Sequence, residues 1–214
     1  MVEVNGTCNA GCAFCELGRR DGLDDGRLTD LVNRLRQDRD KGAHRLRIAG
    51  GEPLLERRLP ELVRHARVMG YETVLVETNG MVASLGDMST RLCDAGLTDV
   101  LWAVGSADPS TNEAMFGLRG AHDASIKGAR ALSELGIRVT ARTPVTTANI
   151  PGLSALPSWL VETIGAVEAW WLRPLIYGPR SEYDTGLVPS LDSLRVAVAE
   201  AAKAKAKPRA VLGL

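Results

Sequence analysis

"RLRIAGGEPLLERRLPELVRHARVMGYETVLVETN", residues 45–79, holds one complete structural unit. Residues 45–50 are short, largely apolar and end on a glycine, as a buried strand does. Leu59, Leu62, Val63 and Ala66 then fall on one helical face, with Pro60 near its start and Gly70 after its end. Residues 72–79 form a second strand-like run. Strand, helix, glycine stop and strand in this order predict a right-handed crossover between two parallel neighbours.

The same punctuation recurs outward in both directions. Residues 2–5, 99–106, 138–145 and 168–176 have strand character. Leu28, Leu31, Val32 and Leu35 form a helical stripe before the quoted unit. After it come Leu85, Met88 and Leu92, stopped by Gly96, then Ile126, Ala129, Leu132 and Leu135, stopped by Gly136. Leu156, Leu160 and Ile164 end at Gly165, and Ser190 is placed to cap a helix carrying Leu191, Leu194 and Val198. The closing "PRAVLGL", 208–214, adds a short seventh strand, and the lysine-rich 202–208 reads as a solvated helix end. Nothing linker-like divides these units, so residues 1–214 read as a single domain. The expected fold class is α/β, a partial (βα)6 TIM-type barrel with parallel strands, because the length is too short for eight units. In such folds ligands bind at the carboxyl ends of the strands.

Bulk composition narrows the function. The 214 residues are 45% hydrophobic and balance 26 Lys plus Arg against 26 Asp plus Glu. A neutral chain of this kind is no general polyanion binder, so no nucleic-acid partner is expected. No apolar run reaches transmembrane length, and the first residues lack a charged-then-apolar signal, so no membrane partner and a cytoplasmic location are expected.

Unusual residues cluster at the predicted strand ends. "CNAGCAFC", residues 8–15, follows strand one and holds three of the four cysteines. "GGEP" (50–53), "ETNG" (77–80) and "GSADP" (105–109) end the next three strands, while Arg142 and Arg173 lie within strands five and six. Thiolate is the usual ligand of iron–sulfur clusters, and three local cysteines leave one iron of a four-iron cubane open. Cys93, beside Leu92 in the third helix, is placed as a small buried hydrophobe, although it is also the one remaining candidate for a fourth ligand. The competing reading is a structural zinc site, but no second cysteine pair and no closely spaced histidine pair completes it. His44, His65 and His122 are scattered and read as surface or satisfied histidines.

The spacing C-x3-C-x2-C, with Phe14 before the third cysteine and "GGEP" at the end of the next strand, resembles the radical S-adenosylmethionine superfamily. The likeness is to members of the molybdenum-cofactor enzyme A type and to peptide-maturing enzymes, and runs over residues 2–176. It implies that Cys8, Cys12 and Cys15 hold a 4Fe-4S cluster. It further implies that S-adenosylmethionine chelates the open iron and is reductively split, and that the 5′-deoxyadenosyl radical so formed takes hydrogen from a substrate. Phe14 would present its backbone near the adenine, and Gly50 and Gly51 would let backbone approach a ligand closely. Glu52 would accept from the methionine ammonium, with Pro53 fixing the turn. Thr78 and Asn79 would bond the methionine end or the ribose. Arg142 would pair with the carboxylate or line the substrate cavity, since a charge in an inner strand needs a partner. Arg173 raises the same expectation. The resemblance singles out no catalytic side chain.

The chain departs from that pattern in places. Ala103 stands where molybdenum-cofactor-type relatives carry a carboxylate-binding serine, and Ser106 is the nearest substitute. No cysteine-rich extension and no leader-binding region is recognisable in these residues, which favours a small-molecule substrate over a peptide. A flavodoxin or ferredoxin would be the reducing partner. Trp170 and Trp171 are adjacent on strand six and face opposite sides, with helix packing the commoner role for either. The alternative function is a non-catalytic metal-binding or iron–sulfur electron-transfer protein on the same scaffold. A cluster-bearing member without turnover lies between the two.

Overall fold

The computed structural model describes residues 1–15, 22–175, 185–205 and 208–212. Its strands are β1 (Val2–Glu3), β2 (Arg45–Ala49), β3 (Thr73–Thr78), β4 (Asp99–Ala103), β5 (Arg138–Val145), β6 (Val167–Pro174) and β7 (Arg209–Leu212). They form one seven-stranded sheet in sequence order, every neighbouring pair parallel. The helices are α1 (Asp25–Asp40), α2 (Leu59–Val68), α3 (Met88–Asp94), α4 (Pro109–Phe116), α5 (Ala121–Glu134), α6 (Leu156–Ile164) and α7 (Leu191–Ala202). The expected βα alternation is therefore present, with β7 as the added strand. Residues 176, 206–207 and 213–214, which fall in the sequence-based strand and helix-end assignments, lie outside the described residues.

Side chains alternate along each strand between helix layer and interior. In β3, Val74, Val76 and Thr78 are buried, while Thr73, Leu75 and Glu77 are partly open. The helix-facing set joins Leu46, Ile48, Val100 and Trp102 in the core, together with Leu62, Val63 and Ala66 from α2. Trp102 donates its indole N–H to Ser125 Oγ at 2.7 Å, so a fully buried tryptophan is satisfied from α5. Gly128 permits α5 to lie so close to the chain after β3: a Cβ there would stand 1.8 Å from the Gly80 oxygen.

Several elements differ from expectation. β1 is two residues long and β4 stops at Ala103, because the chain beyond each turns to build loops. Leu85 ends a 3-10 turn instead of entering α3, and it is 64% exposed. Helix α4 was not foreseen; its mixed composition shows no apolar stripe. Pro109 at its first turn and the Asp108 side chain, which accepts from Thr111 N at 2.8 Å, start it. His122 is buried, not at the surface. Its Nδ1 lies 3.3 Å from Asp123 Oδ1, and its Nε2 has no partner among the described residues. Cys93 is half-buried against the core, with its thiol 3.6 Å from the Leu135 oxygen, far along the fold from the other cysteines. No helix among the described residues is long and apolar enough to cross a membrane.

Candidate functional site

The curled sheet surrounds a cavity of about 350 Å³ whose lining includes the loops at the carboxyl ends of β1, β2 and β3. Cys8, Cys12, Phe14 and Cys15 line it from the β1 loop, and Gly50, Gly51 and Glu52 from the end of β2. β3 contributes Glu77, Thr78 and Asn79, and later strands contribute Ala103, Arg142, Trp171 and Arg173. Three separate sequence motifs thus line one cavity, while none of residues 105–109 does.

The glycine corner exists for the cysteine loop itself. A Cβ on Gly51 would stand 2.3 Å from the Thr7 oxygen, and one on Gly50 2.7 Å from Asn5 Oδ1. In that space Glu52 N donates to Thr7 O at 2.7 Å and Gly51 N to Asn5 O at 3.0 Å. Asn5 completes the clamp by donating to the Glu52 oxygen at 3.0 Å. The far side of the loop rests on α4. Gly11 N donates to Phe116 O at 2.9 Å, and the Phe14 ring meets Phe116 edge to face at 5.8 Å. Gly117, in the left-handed region at φ 60°, allows this contact, since a Cβ there would be 2.4 Å from the Gly11 oxygen.

Glu52 lines the cavity and is at the same time engaged by the protein. Its side chain is fully enclosed and serves the protein: Oε1 accepts from Leu54 N at 3.0 Å and from Thr78 Oγ1 at 2.8 Å, and Oε2 from Asn79 N at 2.8 Å. Burial raises its pKa to about 7, against the pull of these three donors. Glu52 therefore ties the ends of β2 and β3 together, and Pro53 opens the short helical turn beside it. Asn79 reaches the cysteine loop directly, donating to Asn9 Oδ1 at 2.8 Å, with its amide 4.0 Å from Cys8 Sγ.

Ser106 lies apart from the cavity wall. It is buried, and its hydroxyl accepts from Asp108 N at 3.1 Å, within the turn that starts α4. Ala103, in contrast, lines the cavity. Arg142 lines the cavity and is paired within the protein: its Nη1 donates to Glu77 Oε2, and Arg47 holds Oε1 of the same carboxylate. Burial, followed by the neighbouring arginines, lowers the Arg142 pKa despite Glu77. Trp170 is buried and donates to Thr143 Oγ1 at 2.9 Å, whereas Trp171 turns to the cavity.

Arg47 and Glu77 were missed by sequence reading. A signal existed, since in "RLRIA" the charged residues alternate with Leu46 and Ile48, which marks a second, polar-lined face.

The three thiols suit a multi-iron group. Among the described residues no three His, Cys, Asp or Glu side chains converge on a single metal-sized point. A lone zinc would hold its sulfurs at about 2.3 Å, whereas a cluster presents a different iron to each thiolate. Burial pushes the Cys12 thiol up to about 12, with Cys8 and Cys15 adding to the shift, and desolvation also raises Cys8. The raised Cys8 and Cys12 thiols hold their protons near neutral pH in the metal-free chain, so loading would release them.

Comparison with known proteins agrees with this arrangement. The model described as Radical SAM superfamily matches residues 2–156. A PqqA peptide cyclase of Streptomyces rochei is 29% identical over 202 residues, covering 92% of this chain and 54% of the relative. A probable GTP 3′,8-cyclase of Methanothermobacter marburgensis is 33% identical over 114 residues, 51% of this chain and 36% of that protein. The crystal structure of Streptococcus suis SuiB bound to S-adenosylmethionine superposes with a TM-score of 0.79 at 17% identity, over 99% of this chain and 50% of that one. The chain spans about half the length of the curated relatives first matched. Cysteine loop, glycine corner and curled parallel sheet, matched over residues 2–156, place this chain in the radical SAM superfamily.

Proposed function

We propose that this chain is the catalytic barrel of a radical S-adenosylmethionine enzyme, with residues 1–214 acting as one domain. Members of the superfamily use a 4Fe-4S cluster and S-adenosylmethionine. The observation that carries the reading is the convergence of Cys8, Cys12 and Cys15 with the β2 corner and Asn79 on one cavity. When bound, the cluster supplies the electron that splits S-adenosylmethionine into methionine and a 5′-deoxyadenosyl radical.

The residues of the chain divide the remaining work. Cys8, Cys12 and Cys15 are the ligands. The Asn5 and Glu52 contacts fix the loop before loading, which limits reorganisation when the metal enters. Gly50, Gly51, Thr78 and Asn79 offer backbone and side-chain polar groups to the methionine end. Phe14 and Phe116 cover the mouth with apolar surface, which helps to exclude water from a reactive radical. Arg142, which lines the cavity in register with Ala103, is the cation we assign to the cofactor's carboxylate in place of the missing serine. Ser106 has no part in this reading.

The substrate we favour is a peptide, since relatives matched over most of this chain are named peptide cyclases. This reverses the preference drawn from the sequence. Electrons would come from a flavodoxin or ferredoxin. The test is anaerobic reconstitution with iron and sulfide, followed by S-adenosylmethionine and dithionite. The expected result is 5′-deoxyadenosine from the native protein and none from Cys12→Ala. An intact cluster that binds S-adenosylmethionine yet never yields the product, with or without candidate peptides, would overturn the reading.

A further inference from the structure

β2 and β6 are four places apart in the strand order, yet the sheet curls until their side chains meet. The Arg47 guanidinium carbon stands 5.5 Å from the ring centroid of Trp171. Both residues line the cavity. Arg47 precedes Gly50 by three residues, so the pair sits about 10 Å down the strand from the glycine corner. Among the described residues, neither is hydrogen-bonded to the cysteine loop or to Glu52, Thr78 or Asn79.

Two independent observations show that this deeper level lacks a partner. The Trp171 indole N–H is enclosed and has no acceptor among the described residues. A buried donor without an acceptor is costly and rarely kept without a use. The second observation is charge. Arg47 and Arg142 divide a single carboxylate, Glu77, between them. Arg173 lies in the same wall, close enough to disfavour the charge on Arg142. Glu3 also lines the cavity, and Glu52 is engaged by its own three donors. Among the described residues, two guanidinium groups, those of Arg47 and Arg142, thus share the one carboxylate of Glu77.

We propose that Arg47 and Trp171 form a substrate subsite for a carboxylate, with one oxygen on the guanidinium and the other on the indole N–H. Glu77 holds the Arg47 Nε, and a planar two-oxygen acceptor can set one oxygen on the rest of the guanidinium and the other on the indole N–H beside it. The inference rests on the proposed enzyme reading and names the chemistry of its substrate: a molecule carrying an anionic group that anchors below the reacting carbon.

The test uses cluster-loaded protein at saturating S-adenosylmethionine, titrated calorimetrically with glutarate, its neutral analogue glutaramide and inorganic phosphate. Glutarate is expected to bind at least about tenfold more tightly than glutaramide. Arg47→Gln and Trp171→Phe should each weaken glutarate about tenfold, with Arg47→Lys between them and the native protein. Trp171→Phe keeps the aromatic packing and carries the test should the arginine variants fail to fold. Equal binding of glutarate and glutaramide, or variants that bind glutarate as the native protein does, would overturn the proposal. Tighter binding of phosphate would also overturn it, because the seat would not be one for a carboxylate. Glutarate that binds only when S-adenosylmethionine is left out, and is displaced when it is added, would also overturn the proposal, because the seat would be that of the cofactor's own carboxylate. S-adenosylmethionine affinity, titrated into cluster-loaded protein without glutarate, reports separately on the enzyme reading.

Discussion

At the scale of single residues, Glu52 has the clearest consequence. Its carboxyl is raised to about 7 in the folded chain from an ordinary value of 4.5. The folded state then binds the extra proton between those values, so the group's contribution is fully present below pH 4.5 and is lost as pH rises through 7. The shift corresponds to a contribution on the order of 3 kcal/mol. Melting of the metal-free protein from pH 4.5 to 8 should show native stability falling relative to Glu52→Gln, and parallel curves would contradict it. Gly51 gives a second prediction. Alanine there drives a methyl into the Thr7 oxygen, so a loss of about 1–3 kcal/mol is expected, along with poor iron uptake measured as iron per chain. The grouping of Cys8, Cys12 and Cys15 on one loop was legible in the sequence because spacing is a local property. The work of Glu52 was not, since its donors come from Leu54, Thr78 and Asn79, two of them more than twenty residues away. Arg47 escaped notice for a related reason. Its meaning depends on which strand face turns inward, and on a tryptophan reached only when the sheet curls.

At the scale of elements, α4 decides how the cysteine loop is held. Its capped start leaves Met115 and Phe116 to receive the loop, with Gly117 closing the end. Gly117→Ala loses the left-handed residue and pushes on Gly11. We expect normal far-ultraviolet circular dichroism and a cluster yield reduced by more than half, read from iron and labile sulfide. An unchanged yield would show that the loop does not depend on the helix. The sequence concealed α4 because its residues form no apolar face, and its polar Asn112 is buried to satisfy Gly105 N and Ser106 N. The other helices were legible through their apolar stripes and glycine stops. Leu85 joined the wrong element because its spacing from Met88 mimics a helical turn.

For the whole molecule, curvature is set by the interior as much as by the sheet. Glu77 of β3 holds Arg47 of β2 and Arg142 of β5, and Arg47 continues across to Trp171 of β6. Removing the shared carboxylate leaves two guanidinium groups facing each other in a partly enclosed space. Glu77→Ala should cost about 1.5–3 kcal/mol in denaturant unfolding, and Arg47→Leu made in the same chain should restore part of it. Strict additivity would mean that the two charges are independent. The alternation of strands and helices was readable from one end of the chain to the other. The inward charges were readable as residues and not as a network, because strand pairing creates their neighbours.

β1 is two residues long, lies at the sheet margin and is paired on one side only. It nevertheless leads directly to the three cysteines we propose as ligands. Such a margin opens with little of the global unfolding free energy. Amides of residues 4, 11, 51 and 52 in metal-free protein should therefore exchange with deuterium well before those of β3 to β5, and slow markedly after loading. A chain built this way can complete its barrel first and admit iron and sulfide last, so maturation becomes a late, local closing step on an already finished body.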